Sequence, residues 1–428
     1  MKKLKKNNLE ITDLIAGIFF AIISILLILG RDILYKNVIY LVAFILFLLS
    51  FFQLLKYLFR KLSVRESSKT FSSLIFNFFI SIIIISLPAL SIALLPIIFS
   101  LYLFAFGTAQ FIMCFLMIEN GGGDKIKNFI GGVVYYSISL PILYSPIGNL
   151  SRFLIFLALY TLFLSLNFLY DFFSNIISTN VKNKLKRRIR ITLPKIFESI
   201  IPYSVMTTIN KSLDVYDYSY KSYKTKDMEP NLFILIHTSN RGVNKFGHMD
   251  IYFDGNVISY ANYDEGSRKM FELFGDGVIF QTKNYADYVN FCIDNSEKTL
   301  FEFGIHLNNR QIDQVRKRID KIFSNTYSWN YLEDLKYNNG TSYAAKLYKC
   351  TKAKFFKFSS GKYKTYFVLG TNCCYLADDI VGKSGSDILS LNGIITPGTY
   401  YDYLEKELYR KKGIVVTKNI YNSKRRCK

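Results

Sequence analysis

Residues Ile11–Gly30 read ITDLIAGIFFAIISILLILG, an almost unbroken apolar run whose one acidic residue lies near its start. About 20 such residues carry a helix across the ~30 Å hydrocarbon core of a bilayer, because a helix rises 1.5 Å per residue. Five more runs of this kind follow, at Asn37–Leu58, Phe71–Leu87, Ile92–Ile118, Phe129–Ile147 and Arg152–Tyr170. Pro141 and the gap around Pro88 interrupt two of them, which membrane helices tolerate. The pattern predicts a multi-pass α-helical membrane domain of six helices over residues 1–170. A basic interfacial linker is expected over 171–230, and a soluble α+β domain over 231–428.

Composition supports that division. Half of the 428 residues are hydrophobic, yet the formal net charge is +22, two properties that rarely share one water-soluble core. The opening Met1–Lys6 is basic and leads into the first apolar run with no small-residue cleavage site, so it reads as a retained anchor. Lys2, Lys3, Lys5 and Lys6, then Arg60, Lys61, Arg65 and Lys69, then Lys182, Lys184, Lys186, Arg187, Arg188 and Arg190 fall in alternate connections. The positive-inside rule then places both termini in the cytoplasm of a cell-membrane protein, with Arg31 and Lys36 as weak dissent. The basic residues are not confined to one aromatic-rich patch, so nucleic acid is not an expected partner. Six cysteines with no paired spacing, one of them Cys114 inside an apolar run, exclude a secreted disulfide scaffold.

Three lone amides, Gln53, Gln110 and Asn167, end the second, fourth and sixth runs, each shortly after a small residue, Ser50, Gly107 or Ser165. Such amides bond neighbouring helices or, less commonly, line a transport site. No charged residue lies mid-helix, which argues against an ion-coupled pump. Six short helices in three similar pairs, with that small-residue-then-amide pattern, resemble the HdeD family of bacterial membrane proteins over Ile11–Tyr170.

The linker carries its basic run and then Ile191–Met206, broken by Pro194 and Pro202, which suits an anionic leaflet surface. Beyond it, strands are expected at Leu232–Ile236, Gly247–Phe253, Asn256–Asn262, Val278–Thr282, Leu300–Gly304, Phe355–Phe358 and Tyr363–Leu369. Asp254-Gly255 is a strong hairpin signal between the second and third. Helices are expected at Tyr285–Ile293, Arg310–Phe323, Cys373–Val381 and Tyr400–Tyr409.

Among three histidines, His306 reads as a surface residue and His237 as a core or turn residue, whereas His248 opens the first hairpin strand. Thr371-Asn372-Cys373-Cys374-Tyr375 follows a strand and opens a helix. Backbone N–H groups at a helix N-terminus favour a thiolate and can serve an oxyanion, so Cys373 is a candidate nucleophile; its alternative is a buried structural cysteine. Cys374, one residue further round, is expected to point elsewhere. No Cys-x-x-Cys or His-x-x-x-His spacing supports a metal, and Gly382-Lys383-Ser384 follows a helix with Ala377 where a phosphate loop needs glycine. Neither a metal nor a cofactor is expected.

A histidine strand ahead of an Asn-Cys helix resembles the circularly permuted papain-like fold of NlpC-type amidases and lecithin:retinol acyltransferase-like enzymes, over roughly Leu232–Leu408. The resemblance implies that His248 takes the Cys373 proton and that the thiolate attacks an amide or ester carbonyl. It also implies an orienting polar residue about twelve positions after the histidine, which falls on Tyr260, with Asn262 as the other candidate. The function expected is a membrane-anchored cysteine hydrolase or acyltransferase facing the cytoplasm, acting on an acyl-, lipid- or peptide-type substrate. The competing expectation is a stress-related or transport membrane protein whose soluble domain senses or binds without turnover.

Overall fold

The computed structural model describes residues 2–59, 64–177, 223–238, 247–296, 299–331, 341–384, 396–410 and 413–422. The linker's basic run, its Ile191–Met206 segment and the sequence around it lie outside these residues. Five helices open the chain: α1 (Lys2–Phe59), α2 (Val64–Ser86), α3 (Pro88–Glu119), α4 (Lys125–Tyr144) and α5 (Leu150–Ile177). They hold six segments long and apolar enough to cross a membrane: Glu10–Gly30, Tyr35–Phe59, Ser68–Ser86, Pro88–Glu119, Lys125–Tyr144 and Leu150–Phe173. Apolar side chains such as Leu29, Ile33 and Phe59 stay exposed on them, as on helices whose solvent is lipid.

One feature departs from expectation: the first two apolar segments belong to a single 58-residue helix, with no turn at Arg31–Lys36. The stretch between them contains no proline, and Ile33, Leu34 and Tyr35 continue the helix past Gly30. Charge alone does not end a helix, and one glycine costs only about 1 kcal/mol.

The described chain divides into two compact units. One is Ala16–Thr108 with Ile130–Leu166; the other gathers Met1–Ile15, Ala109–Phe129 and Asn167–Lys428. Within the first, Ser24 Oγ donates to Ala158 O at 2.9 Å and Ser165 Oγ to Gly17 O at 2.8 Å. Gln53 Nε2 donates to Ser73 Oγ at 2.9 Å, and Asn77 Nδ2 donates back to Gln53 Oε1 at 3.2 Å. A Cβ on Gly107 would lie 2.4 Å from the Tyr136 ring, so that contact requires glycine. Ser50, Gln53, Gly107 and Ser165 therefore serve helix packing. The pairing differs from three consecutive hairpins: the first segment packs on the sixth, and the second on the third.

The second unit contains an antiparallel sheet. Its strands are β1 (Tyr223–Lys224), β2 (Leu232–Thr238), β3 (His248–Phe253), β4 (Asn256–Ala261), β6 (Val278–Thr282), β7 (Thr299–Ile305), β8 (Thr326–Ser328), β9 (Lys354–Phe358) and β11 (Val415–Tyr421). Their order is β1-β11-β7-β2-β3-β4-β6-β9-β8. A separate pair joins β5 (Phe274–Asp276) to β10 (Thr365–Phe367), so the expected Tyr363–Leu369 strand is shorter and stands outside the main sheet. Helices α6 (Tyr285–Ser296), α7 (Asn309–Phe323), α8 (Tyr343–Thr351), α9 (Cys373–Val381) and α10 (Pro397–Tyr409) complete it.

Continuous burial marks the centre of this sheet. Leu232, Ile234, Ile236, Ile251, Val257, Ile279, Phe301 and Phe303 are all buried, as strands covered on both faces require. The β3–β4 hairpin turns at Asp254 (φ 48°) and Gly255 (φ 74°), the left-handed pair that a two-residue turn needs.

Candidate active site

The order β2, β3, β4 brings three polar positions together. In the β2–β3 register His237 lies directly opposite His248, and Asp250 follows two residues later on the same strand face. His237 Nε2 lies 2.7 Å from Asp250 Oδ2, with both side chains fully buried, and His248 Nε2 lies 3.0 Å from Asp250 Oδ1. Tyr288 on α6 donates its hydroxyl to Asp250 Oδ2 at 2.5 Å. From β4, Ser259 Oγ stands 3.0 Å from His248 Nε2 and 2.5 Å from the Tyr263 hydroxyl. With Nε2 surrounded by these oxygens, Nδ1 is the nitrogen of His248 left for a further partner.

That partner is Cys373, the first residue of α9, hydrogen-bonded to the His248 side chain and only 5% exposed. The helix is capped by Asn372, whose side chain accepts from Tyr375 N at 2.9 Å and donates to Val368 O at 2.9 Å. The cap fixes the entry angle of the chain, so Cys373 meets β3 with its N-terminal N–H groups unspent on the helix. Gly247, immediately before His248, has φ 85° and leaves 3.1 Å between an added Cβ and Pro397 at the start of α10.

Electrostatics follow from these contacts. A hydrogen bond from Cys374 leads the effects that hold the Cys373 thiol well below its ordinary range; burial opposes it, and His248 and the Met249 N–H add to it. Burial disfavours a charged His248, but the Cys373 thiolate and the Asp250 carboxylate outweigh it and raise the imidazole to about 10. Burial also works against Asp250 ionising, yet the two imidazoles keep its carboxyl far below the usual carboxylate range. Cys374 is pushed up by burial and by its bond to Cys373, so it stays a thiol.

Two predicted residues do not join the cluster. Tyr260 lies one position past Ser259, on the opposite strand face, and its hydroxyl donates to Tyr363 O at 2.9 Å among Phe358, Tyr363 and Tyr366. Asn262 donates to Glu272 O at 3.2 Å and braces a turn instead of an imidazole. Successive strand residues alternate faces, so a count of twelve residues landed on the wrong side. Asp250 and Ser259 hold the ring. The signal for Asp250 was present in the sequence as His-x-Asp on a strand. His237, read as a core residue, is buried; His306 is exposed, with Nδ1 donating to Glu229 O at 2.8 Å.

His237, His248 and Asp250 also offer three donor atoms within 4.8 Å of one another, the geometry a divalent cation would accept. His237 Nε2 and Asp250 Oδ2 are engaged with each other at 2.7 Å, whereas Asp250 Oδ1 makes only its 3.0 Å ion-pair contact with His248 Nε2. All five described cysteines are free. No family model, no curated protein and no solved structure matches this chain.

Proposed function

We propose that this chain is a membrane-anchored cysteine acyl-transfer enzyme, a hydrolase or acyltransferase of permuted papain-like type. The observation that carries the proposal is a buried Cys373 at a helix N-terminus, bonded to His248, whose other nitrogen is held by Asp250 and Ser259. In this reading the thiolate attacks an amide or ester carbonyl and the His248 imidazolium protonates the leaving group, giving an acyl-enzyme. Water or a second nucleophile then attacks, with neutral His248 as base. The Tyr366 hydroxyl accepts from the Cys373 N–H and, kept protonated by burial and the nearby thiolate, has its own proton to donate to the oxyanion.

Sequence order also supports the reading, since the histidine strand precedes the cysteine helix. Tyr260 does not touch the imidazole; its hydroxyl donates to Tyr363 O. Anchoring rests on the six apolar segments. The basic residues before the first apolar segment and after the sixth favour the cytoplasmic side, where lipids, lipidated proteins and peptides are the accessible acyl donors. The direct test is labelling of the purified full chain with an acyl-directed thiol probe, followed by peptide mapping. Label on Cys373 that is lost in His248→Ala supports the proposal. Absence of Cys373 labelling, or labelling that survives His248→Ala, refutes it.

A further inference from the structure

The described soluble part exposes few large apolar side chains, and most of them lie at one place. Of six (Met228, Met270, Phe271, Leu273, Tyr327 and Leu369), four belong to the Met270–Leu273 turn or to Leu369 beside it. Phe271 is 101% exposed and Met270 67%. Soluble surfaces seldom concentrate apolar side chains in this way unless something covers them.

The backbone of the turn is unusual as well. Met270, Phe271 and Glu272 have φ of 49°, 55° and 67°, three consecutive left-handed residues, none of them glycine. Bulky residues hold such angles only where their surroundings impose them. Lys269 and Phe274 bridge the base of the turn, Asn262 Nδ2 donates to Glu272 O, and Arg268 pairs with Glu272 at 3.1 Å. The one acidic residue at the tip is thus neutralised, and the structure invests strain in displaying a phenylalanine.

What covers the turn is indicated by its neighbours. Val368 N donates to Leu273 O at 3.1 Å, which ties the turn to the segment leading into Cys373. Two residues on, Gly370 packs so closely on Met113 that a Cβ would lie 2.2 Å from its Sδ. Met113 belongs to the apolar span Pro88–Glu119, and the residue just past that span, Asn120, donates to Thr365 Oγ1 at 3.0 Å and accepts from Gly361 N at 2.6 Å. Met113 precedes Asn120 by about 10 Å of helix, so Gly370 is held level with apolar helix instead of beyond its end. Leu369 and the turn bonded to it continue that surface.

We propose that Met270, Phe271, Leu273 and Leu369 form a rim inserted into the headgroup–acyl boundary of the leaflet that α3 enters. Exposed Lys269 stands at the base of the turn, as suits an anionic lipid surface. The rim places the Cys373 segment against the bilayer. The inference rests on α3 being a membrane span and not on the chemistry of Cys373, so each can fail without the other.

The test uses the full chain in phosphatidylcholine–phosphatidylglycerol vesicles. Phe271→Trp is made in a Trp329→Phe background, with Tyr327→Trp, an exposed position on β8, as the comparison. Should the Trp329→Phe background fail to fold, the substitutions are made in the wild type and the Trp329 signal is subtracted. The expected result is blue-shifted emission from Phe271→Trp and its loss when the lipids carry bromine high on the acyl chain, with no loss for Tyr327→Trp. Water-like, unquenched emission from Phe271→Trp, or equal quenching of both variants, overturns the proposal.

Discussion

Asp250 is the residue on which the candidate site turns, because one carboxylate receives His237, His248 and Tyr288 at once. Asp250→Asn keeps the shape and removes the charge, and acyl transfer should fall by about 10²–10⁴, the range for losing an imidazole's carboxylate partner. Tyr260→Phe should leave turnover nearly unchanged and cost about 1 kcal/mol of stability, the worth of its bond to Tyr363 O. Steady-state rates and thermal unfolding of the two variants separate the orienter found from the one expected. The pH profile follows from the same pair. Thiolate is lost as pH falls through a strongly depressed Cys373 pKa, and imidazolium as pH rises through about 10, so alkylation of Cys373 should stay level from mildly acidic pH to the alkaline side. In His248→Ala the thiol loses the imidazole's share of that lowering, and alkylation at mildly acidic pH should drop. Chelator treatment should leave wild-type alkylation unchanged; a gain in rate would mean that the two histidines and Asp250 hold a cation.

At the scale of elements, the hairpin and the cysteine helix place His248 and Cys373, and packing beside them leaves little freedom. Gly277 joins β5 to β6, and a Cβ there would lie 1.9 Å from Tyr363 O, a backbone atom that cannot step aside. Gly277→Ala should therefore destabilise the domain by about 1–3 kcal/mol or more, read as a lowered thermal midpoint. Most of these elements were legible: Asp254-Gly255, the apolar runs of β2, β6, β7 and β9, and the Asn372 cap all carry local signals. β11 was not. Its Lys418 is buried against Tyr401 and Glu405, and Asn419 against Glu302, so its polar residues are satisfied only by partners far along the chain. The missing turn in α1 has the opposite origin: charged residues suggested a loop where no helix breaker exists.

Across the molecule, one arginine links helices and sheet domain within the second compact unit. Arg410, at the end of α10, reaches Asp13 on α1 at 3.2 Å, Asp171 on α5 at 2.8 Å and Glu407 at 2.9 Å, all buried. Removing one partner from a buried ionic cluster strands the others, so Arg410→Ala should cost about 3–5 kcal/mol in detergent, read by thermal unfolding. Arg410→Lys should recover only part of that, since an ammonium cannot fork across several carboxylates. The opposite end of α10 lies at Pro397 beside Gly247, so the helix runs from this clamp to the flank of His248.

The sequence by itself determined the six apolar segments, the α+β character of the soluble part, and the places of Cys373 at the start of a helix and His248 at the start of a strand. Those properties follow from composition, strand alternation and capping, which are local. Tertiary structure alone decided that Asp250 and Ser259 hold the imidazole and that Arg410 joins Asp13 and Asp171, two carboxylates from distant helices. Each of these depends on strand register and on contacts between residues far apart in the chain, where a shift of one residue turns a side chain to the other face.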